Sequence, residues 1–235
     1  MMITIQVLQV PSVVPEPYWD LFLSFVSEER RAQASRFMHQ ADAYRSVLGE
    51  VLTRVKLSKL TGLGHREITF TRNKYGKPAL THDADAQFNV SHSGDWIALI
   101  AGGKDELGVD VEKIAPIDLQ IAERFFSPQE NTYLAAQPAD QQRHTFYRLW
   151  TLKESYIKAV GMGLSMPLSS FAILPHVQQH GEPDWRCNQD GQIVRHRFYS
   201  HPLDEQHMFA ACATEGDLPS QPEIVTLESL YAVLV

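Results

Sequence analysis

Cysteine is scarce in this 235-residue chain, which contains only Cys187 and Cys212. Neither lies in a CxxC spacing, so the sequence excludes a disulfide-rich secreted scaffold and a cysteine-based zinc site. We expect both thiols to be reduced and structural, in a cytoplasmic protein.

Long apolar runs and an excess of positive charge are also lacking. The longest runs, such as Trp96–Ala101, are far shorter than the roughly 20 residues that a membrane span needs. Residues 1–10 contain no basic segment and no small-residue cleavage site, so we expect no signal peptide. With 28 acidic and 21 basic side chains, the net charge of −7 argues against a nucleic-acid-coating protein. We therefore expect neither a membrane nor a nucleic acid as partner.

The chain does have the composition of a globular protein, with 44% hydrophobic and 21% charged residues. Its length allows one large domain or two of about 100–120 residues. Tyr44, Leu48, Val51 and Val55 recur at helical spacing, and β-branched alternation is typical of several short strands. The predicted helices are 41–60, 119–126, one that begins at Ser127, and 141–160; the predicted strands are 2–10, 68–71, 88–91, 96–101, 107–112, 169–174, 193–199 and 207–213, with a surface loop at 175–191.

The same short sequence pattern occurs in both halves of the chain. Arg36-Phe37 precedes a helix that carries Tyr44-Arg45, and Arg124-Phe125 precedes a helix that carries Tyr147-Arg148. This recurrence indicates two similar α+β halves joined near residues 102–108.

One segment departs from the acidic average. Between Arg30 and Lys59 there are seven basic and only two acidic residues. This segment is either a solvated helix face or a place where an anionic small molecule binds.

Two carboxylates stand two residues apart in Gly108-Val-Asp-Val-Glu112. Side chains alternate along a strand, so Asp110 and Glu112 point to one face while Val109 and Val111 face the core. Such a pair suits Mg²⁺, which binds carboxylates together with substrate phosphates. The alternative is a solvated strand end beside Lys113.

The helix 141–160 carries a second polar stripe. Glu154 and Lys158 are neighbours at i and i+4, which predicts a helix ion pair. An exposed pair of this kind contributes about 0.3–0.5 kcal/mol. Since Trp150 and Ile157 flank the pair, we expect instead a partly buried carboxylate with a functional role.

The turn Ser91-His-Ser93 resembles a hydrolase fragment only superficially, because no GxSxG elbow is present. Its side chains suit hydrogen bonding to phosphate oxygens, and an ordinary turn is the alternative.

Together these elements resemble the Sfp-type 4′-phosphopantetheinyl transferases, which activate carrier proteins of nonribosomal peptide and polyketide synthases. The resemblance runs in order and spacing from about Ser27 to Phe171. The matching stretches are Ala41-Asp-Ala-Tyr-Arg-Ser-Val-Leu-Gly49, Lys74-Tyr-Gly-Lys-Pro78, Phe88-Asn-Val-Ser-His-Ser93, Leu107-Gly-Val-Asp-Val-Glu-Lys-Ile114 and Phe146-Tyr-Arg-Leu-Trp-Thr-Leu-Lys-Glu-Ser-Tyr-Ile-Lys-Ala159.

The resemblance implies an α+β fold of two similar halves related by pseudo-twofold symmetry, each a small, mostly antiparallel sheet packed with helices. Residues 1–103 would form the 3′-phosphoadenosine side, and residues 104–235 the half with the metal and the catalytic helix. The family reaction moves phosphopantetheine from coenzyme A to a carrier-protein serine, requires Mg²⁺ and releases 3′,5′-ADP. A monomer is implied.

The resemblance also assigns residues. The metal ligands would be Asp110, Glu112 and Glu154. On physical grounds we expect the catalytic residues to be Glu154, Lys158 and His92, because transfer at a diphosphate needs a base for the serine proton and donors for the oxygens that gain charge. Gln33 departs from the family pattern, because relatives often carry a lysine there. Arg30 or Arg31 would compensate for the weaker hold on the 3′-phosphate of coenzyme A. The implied coenzyme A contacts are Arg30, Arg45, Ser46, Lys74, Gly76, Lys77, Pro78, Ser91, His92 and Lys158.

Glu154 is the expected base for the serine proton, directly or through water, unless it serves only as a metal ligand. Two other functions stay open from the sequence: a noncatalytic module that holds coenzyme A or docks a synthase, and a metal-dependent pyrophosphohydrolase.

Overall fold

The computed structural model describes residues 2–81, 85–176, 184–214 and 216–235. None of the helices in these ranges has the length and apolar character needed to cross a membrane. The helices are α1 (Glu16–Phe25), α2 (Glu28–Ala34), α3 (Gln40–Thr61), α4 (Ala122–Phe125), α5 (Pro128–Ala135), α6 (Gln142–Val160) and α7 (Leu227–Leu234). The strands are β1 (Thr4–Gln9), β2 (Phe70–Arg72), β3 (Pro78–Leu80), β4 (Gln87–Ser93), β5 (Trp96–Gly102), β6 (Leu107–Lys113), β7 (Phe171–His176), β8 (Asp184–Gln189), β9 (Gln192–Ile193), β10 (Arg197–Asp204), β11 (His207–Ala213) and β12 (Glu223–Val225).

Helix α3 is the main helix of the first half and confirms the predicted helix at 41–60. Val47, Leu48 and Val51 are fully buried, because α3 packs on β5 and is flanked by α1, α2 and α7. The helix ends at Gly62, whose φ of 76° is the left-handed conformation that favours glycine.

The first sheet has the strand order β12-β1-β5-β4, with β1 antiparallel to β5 and parallel to β12. Strands β4 and β5 form a hairpin, paired as far as Ser93 and Trp96. The turn is therefore Gly94-Asp95, and Ser91, His92 and Ser93, which the sequence suggested as a turn, lie in β4 instead.

The second half contains a three-stranded antiparallel sheet of order β10-β11-β6. Helix α6 packs across β6 and β11. The contact with β6 is close at Gly108, where a Cβ atom would lie 1.9 Å from the Ser155 carbonyl oxygen. Glycine is therefore required for the helix to lie this close to the strand backbone.

An apolar core joins the two halves. Ile5, Ala98 and Ile100 of the first sheet pack with Val109 and Phe209 of the second, and all are buried. This core fixes the strand that carries Asp110 relative to the first half.

The end of the chain packs on the first half. Strand β12 pairs with β1, and Leu227 and Leu230 of α7 join the same core as α3. The predicted division at residue 103 assigns these residues to the second half, whereas the structure packs them against the first.

The α+β class with mainly antiparallel sheets is confirmed, but two local predictions were wrong. Residues 184–189 of the predicted loop form β8, because Trp185 and Cys187 alternate into the core; residues 177–183 of that loop lie outside the described ranges. The strand predicted at 193–199 is instead β10, which continues to Asp204. Pro202 is accommodated there because β10 is an edge strand.

Both cysteines are free and buried. Burial raises the pKa of Cys187 to about 12 and that of Cys212 well above its ordinary value. The thiols are therefore unreactive core side chains, as expected for a structural role.

Candidate active site

A cavity of about 560 Å³ lies between the two halves. Helix α3 and strand β4 form its first wall, and strand β6 and helix α6 form the opposite wall. The structure brings ten of the residues singled out from the sequence to this cavity: Arg30, Arg45, Ser46, Pro78, Ser91, His92, Asp110, Glu112, Glu154 and Lys158.

Asp110 lies at the base of the cavity and is almost completely buried. Its Oδ1 accepts hydrogen bonds from Ser91 Oγ at 2.9 Å and from Lys158 Nζ at 2.5 Å. Its Oδ2 is buried and has no hydrogen-bond partner among the described residues. A carboxylate oxygen in this state is available to bind a cation.

Glu112 and Glu154 complete a group of three acids around the cavity. Burial raises the pKa of Asp110. It also raises the pKa of Glu112, with the negative charge of Asp110 as a further cause. For Glu154, burial together with Asp110 and Glu112 raises the pKa to about 7, although Lys158 opposes the shift. The three acids therefore repel one another and would be stabilised by added positive charge.

The predicted ion pair between Glu154 and Lys158 is not the contact that forms. Lys158 reaches across the cavity to Asp110 and Ser91. Helical spacing made the pair with Glu154 possible, but the buried Asp110 is the stronger partner because it is desolvated.

Strand β4 holds β6 through side chains instead of backbone pairing. Asn89 Oδ1 accepts the Val109 N–H at 2.9 Å, and Ser93 Oγ donates to Glu112 at 2.9 Å. With Ser91 on Asp110, three alternate β4 residues orient the acidic strand. Sequence reasoning missed Asn89, and it expected Ser93 to bind phosphate oxygens, whereas Ser93 donates to Glu112. The i, i+2, i+4 spacing of Asn89, Ser91 and Ser93 was a signal for their shared role.

The opposite end of the cavity is cationic. Arg30 donates to Ser46 Oγ and Gln33 Oε1, each at 3.0 Å, and pairs with Glu50 at 3.0 Å. Gln33, the departure from the family pattern, therefore supports Arg30. Glu50 was not predicted; it also pairs with Arg54 and anchors the start of α2 by accepting the Ser27 N–H.

Arg45 is fixed by the hairpin turn. It donates to the Gly94 carbonyl oxygen at 2.7 Å and pairs with Asp42. His207 from β11 lies beneath this turn, where a Cβ atom on Gly94 would be 2.2 Å from its ring. Asp204 holds that ring through Nδ1. The second half thus supports the turn that orients a cation of the first half.

His92 lies beside these cations. Its pKa is below the ordinary value because of partial burial and because Arg45, Lys158 and Arg30 disfavour a further positive charge. At neutral pH the ring is therefore uncharged and can donate one hydrogen bond.

Three predicted residues of the loop 74–78 do not line the cavity. Lys74 lies over the Tyr75 ring, and Gly76 occupies a turn with φ of 90°. Lys77 donates to the carbonyl oxygens of Leu107 and Ala159. Within this loop, only Pro78 is among the residues that line the cavity.

An acidic centre beside cationic groups in a cleft defines a site for a phosphate-containing substrate. Comparisons with known proteins agree. Residues 106–212 match the model of the 4′-phosphopantetheinyl transferase superfamily, and residues 14–104 match that of the 4′-phosphopantetheinyl transferase N-terminal region.

Three relatives illustrate the similarity. The 4′-phosphopantetheinyl transferase Sfp of Bacillus subtilis is 40% identical over 217 residues, 89% of this chain and 91% of that protein. The gsp enzyme of Aneurinibacillus migulanus is 39% identical over 73% of this chain and 71% of its own. The human L-aminoadipate-semialdehyde dehydrogenase-phosphopantetheinyl transferase is 26% identical over 92% of this chain and 78% of its own.

Among solved structures, a holo-(acyl-carrier-protein) synthase of Bacillus anthracis in complex with CoA (3′,5′-ADP) matches at 16% identity with a TM-score of 0.38. The match covers 47% of this chain and 96% of that one.

The chain belongs to the 4′-phosphopantetheinyl transferase family and is of the Sfp type. Its activity is the transfer of 4′-phosphopantetheine from coenzyme A to carrier proteins.

Proposed function

We propose that the acceptor is a serine hydroxyl of carrier domains in nonribosomal peptide, polyketide or fatty acid synthases, and that Mg²⁺-dependent transfer releases 3′,5′-ADP. The observation that carries this proposal is the buried, unpartnered Oδ2 of Asp110 within a group of three acids whose pKa values are raised.

Asp110, Glu112 and Glu154 are the side chains that would hold Mg²⁺, because hard oxygen donors suit this ion. As the side chains stand, no three metal-ligating groups in the described part of the chain form a ready-made cluster, and Lys158 occupies one oxygen of Asp110. The ion would therefore meet Oδ2 of Asp110, which has no hydrogen-bond partner among the described residues. When bound, Mg²⁺ would neutralise charge on the diphosphate.

The cationic residues bind and orient the donor. Arg30 and Arg45 lie where they can meet the phosphates of the nucleotide part of coenzyme A. His92 and Lys158 stand closer to Asp110 and would donate to oxygens that gain charge as the leaving group departs. This division of roles follows the change from cationic to acidic side chains along the cavity.

Glu154 is the proposed general base. Without a bound cation its pKa is raised to about 7. A cation held beside it would lower this pKa, so the proposal requires that one oxygen of Glu154 stays free to accept the serine proton. In the transfer, the serine oxygen forms the new bond to phosphorus, its proton moves to Glu154, and 3′,5′-ADP leaves with the electrons of the broken P–O bond.

A mass measurement on an apo carrier protein tests this function. Incubation with coenzyme A and Mg²⁺ should add the mass of one phosphopantetheine group, and EDTA should prevent the addition. Release of 3′,5′-ADP without a gain in carrier mass would instead identify a pyrophosphohydrolase, and binding of coenzyme A without either product would identify a noncatalytic module.

We further propose that the protein acts as a cytoplasmic monomer. The two free buried thiols suit a reducing compartment. Sedimentation of the purified protein would test the monomeric state.

A further inference from the structure

The loop of residues 73–77, called here the Lys77 loop, comes from the first half and contacts the end of the catalytic helix α6. Lys77 Nζ donates to the Ala159 carbonyl oxygen at 2.7 Å, and Asn73 Nδ2 donates to the Gly161 carbonyl oxygen at 2.9 Å. These two bonds join elements more than 80 residues apart in sequence.

The bonds satisfy a general need of helix ends. The last carbonyl groups of an α-helix have no partner within the helix and carry partial negative charge. An ammonium group is a favourable partner there. Lys77 thus caps α6 from the other half of the protein.

The same ammonium group also contacts the acidic strand. It donates to the Leu107 carbonyl oxygen at 3.2 Å, at the start of β6. Asp110 and Glu112 follow on β6, while Glu154 and Lys158 precede Ala159 on α6. One side chain therefore links the two elements that carry the acids.

The Lys77 loop is itself held in one shape. Asn73 Oδ1 accepts the N–H groups of Tyr75 and Lys77, both at 2.9 Å, and Arg72 donates to the Gly76 carbonyl oxygen at 3.1 Å. At Gly161, a Cβ atom would lie 3.0 Å from Lys77 Cδ. The side chain is thus closely packed along its length.

Burial lowers the pKa of Lys77 to about 8, while the nearby Glu106 and Cys212 act in the opposite direction. Lysine is seldom buried in this way unless its ammonium is hydrogen-bonded.

We propose that the Lys77 side chain is a positioning group that fixes α6 against β6. This inference rests on the proposed function, because it concerns how Glu154, Lys158 and Asp110 are held for that reaction.

The test is Lys77→Met, which keeps most of the length of the side chain and removes its donors. Small misplacement of catalytic groups costs on the order of 10- to 100-fold in rate, so kcat should fall by roughly that factor while the KM for coenzyme A stays near the wild-type value. Lys104, which is exposed and pairs with Asp85, provides the control Lys104→Met for the loss of one positive charge.

A second variant covers the case in which Lys77→Met fails to fold. Lys77→Arg keeps a cationic donor but enlarges the head group, so α6 should shift slightly and kcat should fall, while the KM for coenzyme A should stay near the wild-type value.

Two outcomes would overturn the inference. A raised KM with unchanged kcat would make Lys77 a coenzyme A ligand, and unchanged kinetics would leave it a purely structural residue. Because each rate is compared with the wild type, an inactive wild type would contradict the proposed function and would be recognised separately.

Discussion

At the scale of single residues, a substitution of Glu154 distinguishes a role in proton transfer from a role in binding coenzyme A. Glu154→Gln keeps the shape of the side chain and removes its capacity to accept a proton. Transfer of a proton by a positioned base contributes roughly 10²–10⁴-fold, so kcat should fall by that order. Coenzyme A affinity, measured by calorimetry, should change little; equal losses in rate and affinity would make Glu154 only a metal ligand.

Glu50 makes a prediction about acid stability. Burial would raise its pKa, but hydrogen bonds from Ser27, Arg30 and Arg54 lower it below the ordinary 4.5. The charged Glu50 carboxylate therefore stabilises the folded protein fully above pH 4.5. This stabilisation is lost as the pH falls through the lower pKa that Glu50 has in the folded protein. Glu50→Gln should lower the free energy of unfolding by about 3 kcal/mol at pH 7. Below pH 4.5 the difference in unfolding free energy between the variant and the wild type should become smaller.

Urea unfolding at pH 7, 5 and 3.5 checks this prediction. Glu28→Gln is the control, because Glu28 is an exposed first-turn residue of α2 whose loss should cost less than about 1 kcal/mol. A Glu50→Gln difference that stayed constant down to pH 3.5 would contradict the role of the Glu50 charge.

The sequence revealed some of these residues and not others, for a physical reason. Asp110 and Glu112 were predictable because strand alternation is local. The partners of Lys77 and Asn89 lie on other elements, so only the fold brings them together. Glu50 has one local partner, Arg54 at i+4, but its contacts with Ser27 and Arg30 also depend on the fold.

At the scale of elements, the contact between β6 and α6 depends on Gly108. Gly108→Ala would place a methyl group 1.9 Å from the Ser155 carbonyl oxygen. We therefore expect the free energy of unfolding to fall by more than about 3 kcal/mol. Gly49 in α3 is the matched control, because its added Cβ would meet only Val90 and Ile97 at 3.8 and 3.9 Å. Gly49→Ala should stabilise the helix by up to about 1 kcal/mol.

Urea unfolding of both variants measures the difference. Equal stabilities of Gly108→Ala and wild type would show that α6 can move away from β6 at little cost.

Long elements were predicted better than short ones. Helices α3 and α6 were found because apolar residues repeat over several turns and glycine ends both. Strands β8 and β10 have mixed exposure, and β10 lies at the edge of its sheet, so the pairing of both depends on neighbouring strands more than on local sequence.

At the scale of the whole molecule, helix α7 completes the core of the first half. Leu230 is buried and Val233 on the same helix is 41% exposed. Leu230→Ala should lower the unfolding free energy by about 2–4 kcal/mol, whereas Val233→Ala should change it by less than about 1 kcal/mol. Thermal unfolding of the two variants tests this, and similar melting temperatures would contradict the packing role of α7.

The return of β12 and α7 to the first half also bears on how the protein folds during its synthesis. Residues 223–235 leave the ribosome more than a hundred residues after β5, yet they supply a strand beside β1 and core side chains beside α3. The half made first is therefore completed only after these residues have been made, and until then the nascent chain must keep an unpaired β1 edge and an uncovered apolar surface protected.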